Sequence, residues 1–317
     1  MEACSSPEKL NVTTYNAVAM AIITLQTFAG MWINAFIVSV LCVAWGKKRS
    51  FNSNEKILLV LGCSRFWYSC ITWVFTFLER IYPSCLDVSP ILQIFLGIQS
   101  LFNFSNLWVS AFLFVFYCIK IANFRHTFFI YLKVRVDRIV PWLMLTSVLV
   151  SLSYGIYVYE VMDEVICEKS NCTTPGNFWK QRMGISQYIF TLFFLSGFAY
   201  ATAFIAVISS ALLLLFSLWK HKCKMQTKSG KNVSVDAHIK AVKSIISFLL
   251  IYSINFVCLI LSLIYRIKRG SGVPYFISLL QHAFPAVHSI ILVFSNPKLE
   301  KTLLRTLSCA KCKICKN

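Results

Sequence analysis

The chain has 317 residues, 31 of them Lys or Arg and only 12 Asp or Glu, for a formal net charge of +19. Hydrophobic residues make up 57% and charged residues 14%, where a soluble domain carries about 25% charged residues. This balance excludes an ordinary soluble enzyme, a disordered chain, a collagen-like chain and a disulfide scaffold, and it calls for lipid as solvent.

A transmembrane helix needs about 20 mostly apolar residues. Six long stretches lack Asp, Glu, Lys and Arg altogether: 10–46, 88–119, 139–159, 183–219, 244–265 and 270–297. A seventh, 57–78, is interrupted only by Arg65. The chain therefore reads as an all-α membrane protein, a bundle of seven transmembrane helices. Residues 1–14 form a short outer tail, 15–297 the bundle and 298–317 a basic, Cys-containing inner tail.

The first stretch is too long for a secretory signal peptide, and no basic region precedes it. It carries Asn34. The loop that follows holds Lys47, Lys48, Arg49 and Lys56. In the second span, Arg65 is the one formal charge well inside the apolar stretches, and an intramembrane Arg costs several kcal/mol unless paired or hydrated. It lies ten residues beyond Glu55, about 15 Å along a helix at 1.5 Å per residue. Asn34, His288 and Ser289 fall at similar depth, so these three are expected to solvate Arg65 and tie three helices together. Two roles fit that group: a switch that rearranges on activation, or a static clamp.

In the third span, Gln99, Asn103, Asn106, Ser110 and Tyr117 recur at helical offsets, within an arc of roughly 40°. Polar groups facing lipid are costly, so the stripe should face the bundle interior. The next loop holds Lys120, Arg125, Lys133, Arg135 and Arg138. Past the fourth span, Asn171 lies in an N-x-S/T sequon of an outer loop and is the expected glycan site. Cys85 is able to pair with Cys167 or Cys172, or to stay free. After the fifth span, segment 220–243 holds seven Lys.

The sixth span aligns Ser244, Asn255 and Ser262. The seventh aligns Ser278, Gln281, Pro285, Ser289 and Asn296 in the same way. Most of these polar residues serve only to bond helix to helix; those in the outer half (Gln99, Asn103, Asn255, Ser278 and Gln281) are the candidates to meet a ligand. Six basic residues follow Pro297. Four basic segments thus alternate with neutral ones, which puts the N-terminus outside and the C-terminus inside. The charge is topological rather than a nucleic-acid footprint. It also attracts anionic membrane lipids, at about 1 kcal/mol per charge. Cys309, Cys312 and Cys315 beside those charges suit palmitoylation better than a metal.

No chemistry emerges from the motifs. There is no HExxH pair and no phosphate-binding glycine loop, so neither an enzyme, a cofactor nor a metal is expected. Transporters and pumps carry intramembrane acids, which the apolar stretches lack. Amides, hydroxyls and aromatics without a carboxylate point to weakly polar ligands rather than to an amine-selective site.

Several strings carry a family likeness. The third span and its loop read LWVSAFLFVFYCIKIANFRHTFFIYLKVR, the fifth ends LLLLFSLWKHKCKM, the sixth opens HIKAVKSIISFLLIY and the seventh closes FPAVHSIILVFSNPKLE. With INAFIV in span one and VLGCSR in span two, the chain closely resembles the type 2 (bitter) taste receptors over nearly its whole length. The resemblance implies a G-protein-coupled receptor of the plasma membrane for bitter small molecules, acting through a gustducin-like heterotrimeric G protein. It implies ligand contacts at Asn103 in helix three, Asn255 in helix six, Ser278 and Gln281 in helix seven and Phe75 in helix two. On activation the inner half opens, and the surface around Tyr117, Lys120, Lys133, Lys220, His238 and Lys243 is expected to receive the G protein.

Three features depart from the family pattern. Many members carry Trp where this chain has Gln99 and Pro where it has Ala203, and WVSA replaces the usual Trp-Leu-Ala-Thr. A vomeronasal-type chemosensory receptor shares the outline, and a seven-helix channel or transporter is the alternative from another class.

Overall fold

In the computed structural model, residues 14–82, 86, 90–122, 126–169, 185–226, 233–265 and 273–314 are described. Their regular structure is helical: α1 Thr14–Lys48, α2 Ser53–Ile81, α3 Ile91–Ile121, α4 Thr127–Lys169, α5 Ile185–Gln226, α6 Val233–Tyr265, α7 Val273–Ser295 and α8 Pro297–Ile314. Helices α1 to α5 are each long and apolar enough to cross a membrane, and α6 and α7 contribute the shorter apolar runs Ile245–Cys258 and Leu279–Ser295. Asn171, Cys85, Cys172 and Cys315 lie outside the described residues, as do the side chains of Cys167, His238, Lys243, Ser244, Ser262, Ser278 and Cys312.

The burial pattern is that of a protein dissolved in lipid. Arg65, Asn34 and Ser289 are fully buried at 0% exposure, whereas Trp32 is 78% exposed. Phe190, Trp142, Phe198 and Trp219 also face outward. A water-soluble bundle would reverse this order, since its charged and amide side chains face water and its large apolar ones turn inward. Inside, Ile37, Leu61, Leu113, Val140, Val207, Tyr252, Leu292 and Leu299 belong to one apolar cluster to which α1 through α8 each contribute. Helix α3 is the axis: it packs on α2, α4 and α5, while α1 closes the ring against α2 and α7, and α6 bridges α5 and α7.

The contact between α3 and α4 is a backbone contact. A Cβ placed on Gly155 would lie 2.8 Å from the Gly97 carbonyl oxygen, and one on Gly97 would lie 3.0 Å from that of Gly155. Small residues let membrane helices approach this closely, and in lipid such packing replaces the hydrophobic drive. Pro141 and Pro285 sit inside α4 and α7. Helix α5 runs from Ile185 to Gln226 with Ala203, where many members of the resembled family carry Pro, fully buried.

The segment after Pro297, read from sequence as a tail, forms helix α8. Asn296, assigned by its spacing to the inward stripe of the seventh span, starts this helix instead: its Oδ1 accepts the backbone N–H of Lys298 at 3.1 Å and of Leu299 at 3.4 Å. Pro297 occupies the first helical position, where its missing N–H costs nothing. Leu299 is buried, and Leu304 and Leu307 are exposed. Lys298 Nζ reaches Glu55 Oε1 at 2.5 Å, and Glu55 Oε2 accepts the Asn52 backbone N–H at 3.1 Å. One carboxylate thus caps α2 and holds α8 against it.

Gly155→Val should force α3 and α4 apart. Overpacking of this kind costs about 1–3 kcal/mol, and the expected reading is a lower Tm for the detergent-solubilised protein together with a smaller fraction at the cell surface. An unchanged Tm would contradict the close backbone contact.

Candidate functional site

At the end of the bundle away from α8, the helices part around a cavity of about 520 Å³, within the range of small-molecule pockets. Four residues singled out from the sequence line it: Phe75 on α2, Gln99 and Asn103 on α3 and Gln281 on α7. Gln99 Nε2 donates to Thr72 Oγ1 on α2 at 3.1 Å, and Asn103 Nδ2 donates to the Tyr200 hydroxyl on α5 at 2.7 Å. Gln281 Nε2 donates to the Cys258 carbonyl at 3.4 Å. Asn255 is half-buried on α6 and is not among the lining residues.

Sequence reading missed the α4 and α5 side of this cavity. Tyr154, Ser196 and Tyr200 line it. The Tyr154 and Ser196 hydroxyl oxygens lie 2.5 Å apart, and Ser196 Oγ also donates to the Leu192 carbonyl at 2.7 Å. That assigns the shared proton to Tyr154. A signal was present, because Ser147, Ser151 and Tyr154 fall at offsets of four and seven, and Ser196, Tyr200, Ala203, Val207, Ser210 and Leu214 continue the same ladder on α5. Ser147, Ser151 and all six of the α5 residues are buried.

One expectation is corrected. The cavity wall does include a carboxylate, that of Glu79, next to Arg80. Helix α2 continues to Ile81, past the apolar stretch ending at residue 78, and this carries the two charges to the cavity rim. Both residues line the cavity, so the wall carries both signs.

Deeper in the bundle, the buried Arg65 guanidinium is surrounded by neutral acceptors. Its Nε donates to Asn106 Oδ1 at 2.9 Å, Nη1 to Ser289 Oγ at 3.0 Å and Nη2 to Ser110 Oγ at 3.1 Å. Nη2 also meets His288 Nδ1. A guanidinium only donates, so Nδ1 accepts and the imidazole proton sits on Nε2. Ser289 Oγ passes its own proton to Asn34 Oδ1 at 2.8 Å. The group expected from depth alone (Asn34, His288 and Ser289) is thus assembled here, with Asn34 one bond removed. Asn106 and Ser110 of the α3 stripe add a fourth helix that sequence reading had not joined to Arg65. Phe248 of α6 and Phe284 of α7 pack on the His288 ring, at 5.0 and 5.4 Å between centroids.

Toward α8, Tyr117 donates to Asn54 Oδ1 at 3.2 Å, Lys120 pairs with Asp137 at 2.6 Å and Lys133 Nζ donates to the Ala122 carbonyl at 3.3 Å. Lys220 is exposed on α5, and Cys309 is exposed on α8.

Residues 12–311 match the profile of a protein family described as Taste receptor protein (TAS2R). Among curated proteins, the chain is 31% identical over 298 residues to taste receptor type 2 member 13 of Papio hamadryas, covering 90% of this chain and 95% of that one. It is 30% identical to member 7 of Macaca mulatta, covering 88% of each chain. It is 29% identical to member 9 of Homo sapiens, covering 93% of this chain and 95% of that one.

Ser289→Ala removes one acceptor from Arg65 and the donor to Asn34 together. Leaving buried polar groups unmet costs about 1–3 kcal/mol. The variant should melt at a lower temperature than Ser253→Ala, whose hydroxyl only returns to the Leu249 carbonyl one turn back. Equal Tm values for the two variants would count against the network.

Proposed function

The chain belongs to the type 2 taste receptor family, and from that premise we propose that it is a bitter taste receptor whose agonists bind the cavity between α2, α3, α4, α5 and α7 and whose opposite end engages a gustducin-like heterotrimeric G protein. As a family member it is a multi-pass membrane receptor and not an enzyme; the plasma membrane is its proposed location, with the N-terminus outside and the α8 end in the cytoplasm. The observation that carries this reading is the cavity itself: it is of small-molecule size, and its wall mixes amides, hydroxyls and aromatic faces with the charged pair Glu79 and Arg80. Micromolar binding, about −8 kcal/mol, is enough for such a sensor.

The mechanism is a population shift. An agonist favours the active arrangement only by the difference between its affinities for the two arrangements. Asn103 and Gln99 contact the agonist on α3, joined by Phe75 and Gln281 on α2 and α7. Asn255 and Ser278 are further contacts, reached by agonists that extend toward α6 and α7. Asn106 and Ser110, one and two turns below Asn103 on the same helix face, bond Arg65. Movement of α3 against α7 therefore changes the Arg65 shell, which makes Arg65, His288, Ser289 and Asn34 the switch. At the far end, release of the Tyr117–Asn54 and Lys120–Asp137 contacts frees the α3 terminus. There Lys133 and Lys220, with His238 and Lys243 on α6, meet the G protein. Basic residues near this end also bind anionic lipid. Asn171 is the proposed glycan site, and Cys309, Cys312 and Cys315 are proposed as lipid-modified anchors of α8.

Asn103→Ala should lower agonist potency roughly three- to tenfold, the weight of about one hydrogen bond, with surface expression retained. The measurement is the calcium response of cells carrying a gustducin-type chimeric G protein to a panel of bitter compounds. Unchanged potency across every responsive agonist would remove the cavity as the binding site.

A further inference from the structure

We propose that Asn103 and Tyr200 act as one recognition unit for a hydroxyl group of the agonist, an alcohol or a phenol, held between α3 and α5. The proposal rests on the cavity being the agonist site and adds the chemical group selected there.

Both residues line the cavity, and the Asn103 amide nitrogen lies 2.7 Å from the Tyr200 hydroxyl. Tyr200 is only 6% exposed. Its ring meets Phe104 edge to face at 6.2 Å, and Phe104 stacks on Tyr154 at 3.9 Å. The phenol is therefore held in place by packing and is not a swinging side chain. Tyr154 directs its own proton to Ser196, and Tyr200 is a cavity phenol paired with an amide.

The inventory of the pair decides what it selects. An amide offers two N–H donors and an acceptor oxygen, and a phenol offers one donor and an acceptor oxygen. With Asn103 Nδ2 donating to Tyr200, the pair retains the Tyr200 O–H as donor and Asn103 Oδ1 as acceptor. With the amide turned over, it retains the Asn103 N–H as donor and the Tyr200 oxygen as acceptor. In both orientations a donor and an acceptor sit side by side. A hydroxyl answers both from a single atom. An ether oxygen only accepts and an ammonium only donates, so each leaves one member of the pair unmet when the site closes. A site built to bond a hydroxyl discriminates against the analogue lacking it, because the buried polar group left over carries the cost.

The test uses agonists presented as matched pairs, a bitter phenol and its methyl ether, on the full-length receptor in the calcium assay. The wild type should prefer the phenol roughly tenfold. Tyr200→Phe and Asn103→Ala should each bring the ratio close to one, and the double variant should change it no further, since both substitutions remove the same unit. Because the ratio is read within one variant, differences in expression cancel. Tyr200→Leu gives the same reading if the Phe variant fails to reach the surface. Loss of potency in Asn103→Ala with the preference intact in Tyr200→Phe would overturn this inference and leave the binding site standing. Unchanged potency in Asn103→Ala for every agonist would remove the site itself. A wild type that prefers the ethers, or responds to no pair, would also overturn it.

Discussion

A buried guanidinium whose hydrogen-bond partners among the described residues include no carboxylate is the constraint on which the rest of this bundle depends. In lipid such a charge is tolerable only if neutral acceptors reach it from several sides. Arg65 meets that demand with Asn106, Ser110, His288 and Ser289, and Asn34 stands behind Ser289. The partners come from different helices, so none of α2, α3 or α7 can rotate without exposing an unmet donor. Close approach makes this possible. A Cβ on Gly62 would meet Val38 Cγ2 at 3.1 Å, and one on Gly30 would meet Ser69 Oγ at 3.3 Å, so α1 sits near enough for Asn34 to back Ser289.

The same requirement orders the chain along its length. One face of α3 carries Gln99 and Asn103 at the cavity, Asn106 and Ser110 at Arg65, and Tyr117 against Asn54. On the proposed reading, ligand contact, switch and coupling surface lie along one rigid helix. A displacement of less than a turn at one level is then felt at the others without any intermediary loop. Coupling by discrete packed arrangements of this kind fits a two-state element better than a continuous deformation.

Much of this was legible in the sequence because lipid penalises polar groups so strongly. Gln99, Asn103, Asn106 and Ser110 share a face by spacing, and none of the four is exposed. His288 and Ser289 were matched to Arg65 by depth alone. Less was legible where the cost rule is weak. Tyr154 and Ser196 are amphipathic or small, and their helices also expose large apolar residues, so their inward faces stand out little. Glu79 lies just past the charge-bounded stretch 57–78, whereas α2 ends by geometry three residues after that stretch does. Asn296 fits the inward stripe of α7 by spacing but is used as a cap, a role that depends on the proline after it. The hydrogen bond between Asn103 and Tyr200 joins residues 97 positions apart, and no periodicity within a single helix reports it.

The meeting of Gly97 and Gly155 bears on how a chemosensory chain could diversify. Where two main chains touch, the width of that flank is set by carbonyl and Cα atoms and not by any replaceable side chain. The flank is inelastic, so guests of different bulk must be accommodated elsewhere, toward α5 and α7. New tastes would then be acquired by exchanging side chains on those movable staves, with the α3–α4 spine left as a common datum.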